Sequence, residues 1–227
     1  MSRETLEQVR DDLRAILARV DAALAEAAPP VPSRSDPADF AARADAVLGA
    51  LPPPSPSPVA KGLAWGAKVS AEFRERVRWI GDDLQIDPNF LMACMAWESG
   101  RSFRPDVKNM AGSGATGLIQ FMPATARALG TTVEALAKKS AEDQLNEVWK
   151  YFKPFKGRLK TLSDVYMAIL WPKAVGQPDD YALFTGGVAY RQNAGLDTNK
   201  DGKVTKREAA AKVAGLLEEG LRPGNIG

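Results

Sequence analysis

The chain has 227 residues, 45% hydrophobic and 26% charged, with 30 basic and 28 acidic side chains. That length suffices for one cored domain with extensions, and the near-neutral balance gives no basic footprint for nucleic acid. With no histidine and a single cysteine, Ser-His-Asp and Cys-His catalysis and an internal disulfide are excluded, and the lone thiol fits a reducing compartment.

In chain order, "MSRETLEQVR" shows no secretory signal, and no apolar run is long enough to span a bilayer. The expectation is synthesis in the cytoplasm without membrane insertion. Thr5 to Ala27 predicts a helix, because Leu6, Val9, Leu13, Ile16, Val20 and Ala23 recur at steps of three and four. Residues 1–28 read equally as a coiled-coil or docking segment and as a helix packed on its own domain. Residues 29–59 hold "APPVPSRSDP", a short Ala-rich helix from Asp39 to Leu51, and "PPPSPSPVA". The Pro/Ser-rich pieces lack donors and apolar content for a core, so they read as semi-rigid linkers, with a domain boundary near Val59.

Residues 60–227 read as helix after helix. Phe73, Val77, Ile80 and Leu84 share one face, and Asp87-Pro88 supplies a cap and a first-turn proline for the helix through "NFLMACMAWE". Further helices are predicted at Ser140–Phe152, Leu162–Leu170 and Thr205–Glu219. No stretch alternates with period two for long enough to predict a strand, so the expected fold class is all-α.

Three motifs carry chemistry. The helix ending at Glu98 is apolar on nearly every side, as expected of a central helix, and Cys94 within it reads as core. Glu98 lies in its last turn, where desolvation and the helix dipole both raise a carboxyl pKa toward the value a general acid needs. The bland alternative is a solvated helix end capped by Gly100. "GSGATG", Gly112 to Gly117, matches G-x-G-x-x-G, but no strand precedes it and Pro123 interrupts any helix it would open. The dinucleotide reading is rejected, leaving no organic cofactor, and the glycines are read as permitting tight turns or close backbone approach.

"DTNKDGKVTKRE" places Asp197, Asn199, Asp201, Gly202, Lys203, Thr205 and Glu208 at positions 1, 3, 5, 6, 7, 9 and 12 of an EF-hand loop. Short oxygen side chains alternate toward one cation, Gly202 permits the turn, Lys203 offers its carbonyl and Glu208 a two-oxygen clamp. The expectation is structural Ca²⁺ held by Asp197, Asn199, Asp201, Lys203 and Glu208; the alternative is a loop that keeps the turn without metal.

Together "WESGRSFRP", "GSGATGLIQFMPATARALG" and "AYRQNAG" resemble the soluble lytic transglycosylase, goose-lysozyme-like family. The resemblance covers most of Trp65 to Asn193. "TLSDVYMAILWP" and the run from "YRQNAGLD" into the calcium-type loop look like phage-encoded and virion-associated members. The resemblance implies a lysozyme-like helical domain acting on the β-1,4 bond between N-acetylmuramic acid and N-acetylglucosamine in peptidoglycan. Glu98 then matches the catalytic acid that later serves as base. Gln120, Phe121 and Met122 match residues along the sugar cleft, Tyr190 the aromatic hydroxyl near the acid, and Ser113 is the candidate for a serine assisting the N-acetyl group. The usual Ala-Tyr-Asn is interrupted by Arg191 and Gln192 before Asn193, and Phe121 replaces an aliphatic residue. The expected partner is the glycan strand, reached from the cytoplasm or a virion, with self-association or virion docking through residues 1–28. A hydrolytic muramidase of the same fold and a non-catalytic wall-binding or virion protein remain the competing readings.

Overall fold

The structure, a computed structural model, describes residues 62–109 and 113–227. The chain divides between Ala60 and Lys61, and everything described lies in the second part. The expected helix at Thr5–Ala27, the linkers and the short helix at Asp39–Leu51 lie outside the described residues.

Helices α1 (Ala71–Leu84), α2 (Pro88–Glu98), α3 (Pro123–Ala128), α4 (Val133–Leu136), α5 (Ala141–Phe152), α6 (Leu162–Leu170), α7 (Gly187–Asn193) and α8 (Lys206–Gly220) follow in order. Most start on a side chain that satisfies an orphan amide: Ser70, Asp87, Thr132, Ser140, Thr161 and Thr205 each accept from a backbone N–H two or three residues on. At α8 the device is a full capping box, with Glu208 reaching back to the Thr205 amide.

Helix α2 is the axis of the domain. Leu91 through Ala96 are all buried, and α1, α6 and α8 pack around it. Trp65 anchors α8, its indole donating to the Leu216 carbonyl at 2.9 Å while its ring lies where a Cβ at Gly220 would stand. Leu63 and Gly227 exchange both backbone hydrogen bonds, so the last residue closes on the segment before α1.

The structure departs from the expectation of no strands in one place. β1 (Ala182–Thr185) pairs antiparallel with β2 (Lys203–Thr205). Strands of three and four residues are too short for alternation to be legible, and β2 lies inside the calcium-type loop.

Candidate active site

The all-apolar surface of α2 forces it to the centre, and the helix ends where the core opens. There Trp97 is exposed and Glu98 half-buried. Burial alone lifts the Glu98 carboxyl from 4.5 to about 7, so near neutral pH it is balanced between acid and base forms. Among the described residues, no cation pairs with it and no second carboxylate contributes to the shift.

Two tyrosines feel the charge of this carboxyl. Tyr151 of α5 and Tyr166 of α6 have phenol pKa values pushed up, first by burial and then by the Glu98 charge. The Tyr151 hydroxyl donates to the Ala168 carbonyl at 2.7 Å, and the Tyr166 hydroxyl accepts from the Trp97 indole at 3.2 Å. Cys94, one turn before Glu98, is buried with its thiol pKa raised well above the ordinary value. It is core, as the sequence suggested.

Ser99 explains part of the Glu-Ser pair. It is buried, its hydroxyl donates to the Met95 carbonyl at 2.6 Å and accepts from the Phe103 amide at 3.0 Å. This ties the helix end to a turn in which Gly100, Arg101 and Phe103 all have positive φ. Phe103 then packs against Trp65 and Phe73, so the segment after Glu98 is anchored in the core.

The "GLIQF" segment forms a tight loop. Thr116 and Phe121 exchange both backbone hydrogen bonds, and Gly117 donates to Val107 at 2.8 Å. Gln144 of α5, fully buried, organises it. Its carbonyl accepts from the Leu118 amide at 2.7 Å, and its amide donates to Pro105 and Leu136 at 3.0 and 2.9 Å. Gly117, at φ 88°, must be glycine because a Cβ there would collide with the Gln144 amide.

Gln120 is partly exposed, with its amide nitrogen committed to the Val107 and Gly117 carbonyls at 3.1 and 3.0 Å. Met122 is half-buried and caps α3. Phe121, expected on the cleft, is a correction: it is 2% exposed, and its ring stands edge-on to Tyr151 at 6.2 Å. It braces the tyrosine of α5. Ser113 is half-buried, accepting from the Ala115 amide at 3.3 Å; Gly112 lies outside the described residues.

Tyr190, expected near the acid, lies on α7. Its hydroxyl donates to Asp197 at 2.7 Å, which ties α7 to the calcium-type loop. Asn193 donates to the Ala189 carbonyl within α7 at 3.0 Å. The hydroxyls that feel Glu98 are those of Tyr151 and Tyr166, which sequence reasoning missed.

The 197–208 loop is closed by its own hydrogen bonds. Asp197 and Asn199 both accept from the Asp201 amide, at 3.3 and 3.0 Å, and Asp197 also accepts from Gly202 at 3.0 Å. Asp201 accepts from the Lys203 amide at 3.0 Å. Glu208 accepts from the amide and hydroxyl of Thr205 at 2.9 and 2.8 Å and from those of Thr198 at 3.1 and 3.0 Å. These bonds hold its carboxyl down at about 2. The oxygen donors suit a hard cation in kind. Among the described residues, however, no three acidic side chains converge closely enough to hold one.

Within the same loop, Lys206 carries a buried charge. Its ammonium pairs with Asp164 at the start of α6 and donates to the Gln177 carbonyl at 2.8 Å, while Asp164 also accepts from Gly176 at 2.8 Å. The loop end is thereby locked to the helix that carries Tyr166.

No curated protein matches the chain. Residues 78–166, which span Glu98, the "GLIQF" loop, Tyr151 and Tyr166, match the family model of the transglycosylase SLT domain, and the fold around them is all-α and lysozyme-like.

Proposed function

We propose that the chain is a peptidoglycan lytic transglycosylase. The observation that carries this reading is a lone carboxyl, held at about 7 by burial, inside the stretch that matches the transglycosylase SLT domain. Glycosidases that use water work with two carboxylates set several ångströms apart. Here the muramoyl 6-hydroxyl replaces water. Glu98 gives its proton to the glycosidic oxygen as the bond to muramoyl C1 breaks. The resulting carboxylate then takes the proton of the 6-hydroxyl as that oxygen closes on C1. The proton count balances, the acid is restored, and the product is a 1,6-anhydromuramoyl end.

Mass spectrometry of fragments released from sacculi tests it. Anhydro ends lack one water relative to the reducing ends that a muramidase leaves. Hydrated ends would replace this proposal by the hydrolytic one, and no release at all, with binding retained, would replace it by the non-catalytic one. The phage-type motifs around Thr161–Pro172 and Tyr190–Glu208 support a lysin role, released into the host or carried in a particle. Lysis of permeabilised, but not intact, bacteria by added protein is the expected behaviour.

Calcium is part of the same proposal. Asp197, Asn199 and Asp201 side chains, the Lys203 carbonyl and Glu208 would hold it, with Glu208 exchanging its threonine donors for the ion. Its contribution is charge neutralisation and ordering of the loop, and through the Tyr190–Asp197 bond the order would extend to α7. Added Ca²⁺ should raise the melting temperature of metal-stripped protein. An unchanged melting curve would mean that the hydrogen-bonded loop is the working form.

A further inference from the structure

We propose that Trp97 and Lys212 form a subsite beside Glu98 for peptide-bearing glycan, the indole stacking on a sugar face and the ammonium pairing with a carboxylate of the attached peptide. This rests on the transglycosylase reading of the cleft.

The chain has five tryptophans. Trp65 is buried, Trp79, Trp149 and Trp171 are packed against the core, and Trp97 alone is markedly exposed, at 36%. The exposed indole on the central helix, one residue from the acid, presents an apolar face beside Glu98. It is also held still: its N–H is bound to the Tyr166 hydroxyl, and Tyr166 itself lies within the field of Glu98. A fixed aromatic face beside Glu98 suits a pyranose ring, whose axial C–H bonds make one side apolar.

Lys212 of α8 places its ammonium 5.8 Å from the Trp97 ring centroid. It is exposed, and no carboxylate among the described residues pairs with it. Of the acids of α8, Glu208 is held within the loop, Glu219 pairs with Arg101 at 2.9 Å, and exposed Glu218 makes no ion pair with Lys212. The result is a cation over an aromatic platform, without a carboxylate partner among the described residues. Muramoyl residues in the wall carry short peptides with free carboxylates, so one residue offers both an apolar ring face and an anion. The plain alternative is that the lysine stem merely shields the indole, and methionine would do that equally well.

The test compares soluble glycan oligomers carrying their peptides with the same oligomers after amidase removal of the peptides. Wild type should show a higher kcat/KM on the peptide-bearing form. Lys212→Met should lower the ratio of the two about three- to fivefold through KM, as expected for one exposed ion pair, and Lys212→Glu should lower it further. Trp97→Ala should raise KM for both forms about tenfold, with Trp97→Phe recovering most of it. A wild-type ratio of one, or a ratio untouched by either lysine variant, overturns the proposal. Sedimentation of Glu98→Gln protein with both glycans, with and without Lys212→Met, reads the same preference without catalysis. Failure of the transglycosylase reading would instead appear as no anhydro product from any substrate.

Discussion

Replacing Glu98 by glutamine separates the price of the acid from its use. A carboxyl whose ordinary value is 4.5, held at about 7, has its ionised form disfavoured in the fold by about 3 kcal/mol. Glu98 retains some access to water, and solvent reduces this to about 1–3 kcal/mol. The sign follows from linkage. Below pH 4.5 both folded and unfolded chains are protonated at this position and nothing is lost. As pH rises from there to about 7, the unfolded chain ionises while the fold retains its proton, so wild type loses stability. Above that the loss is complete and constant. Glutamine never ionises, so the Glu98→Gln protein should match wild type in acid. At about pH 8.5 it should melt roughly 2–12 °C higher, given about 2–4 °C per kcal/mol for a domain of this size. Paired thermal melts across pH measure the difference, and contributions from other groups cancel. An offset independent of pH, or a variant that melts lower at high pH, refutes the desolvation argument. The same variant should be inactive on sacculi, and wild-type activity should fall as pH rises through about 7.

Gln144→Leu strands the Leu118 amide and the Pro105 and Leu136 carbonyls, and should cost about 3–4 kcal/mol in denaturant unfolding; a loss under about 1 kcal/mol would show that the loop finds other partners. Lys206→Met leaves Asp164 buried without its counter-ion and should cost about 3–5 kcal/mol, partly recovered by adding Asp164→Asn. Phe121→Ala should cost about 3–5 kcal/mol as a core truncation. Because it also frees the Tyr151 ring, it should lower kcat, whereas a pure cleft residue would move KM with little loss of stability.

What was legible in the sequence is what local rules govern. Helix α6 has the predicted bounds, α5 ends at the predicted Phe152 and is capped by Ser140, and Asp87-Pro88 opens α2. In each case a cap and an apolar period agree within one segment. Glu98 stood out because an acid closes a run that is apolar all round. Tyr151 and Tyr166 gave no such signal. Each lies on an amphipathic helix beside other apolar residues, and only the fold brings them within the field of Glu98. Gln144 was equally silent, since a glutamine in a polar-looking helix is ordinary until the fold buries it and supplies three backbone partners. Phe121 was misplaced because sequence proximity to Gln120 and Met122 says nothing about which side of a tight loop a ring faces. Tyr190 was read onto the acid, but its nearest acceptor is Asp197, seven residues on, through a turn that the loop spacing implied and the tyrosine motif did not.

These placements share a cause. An acid can be kept at about 7 without a charged partner only if its surroundings are apolar and do not relax, and a helix end is the least rigid part of a helix. Here the end is secured from several sides. Ser99 fastens the turn that follows, Phe121 backs Tyr151, and Lys206 with Asp164 fixes the start of α6 and so the position of Tyr166. The restraints are spread over α5, α6, α8 and two loops, and none of them touches the carboxyl. Loosening any one would let more water reach Glu98 and bring its pKa back toward 4.5. Damage to this shell should therefore appear as an activity profile displaced to lower pH before it appears as unfolding.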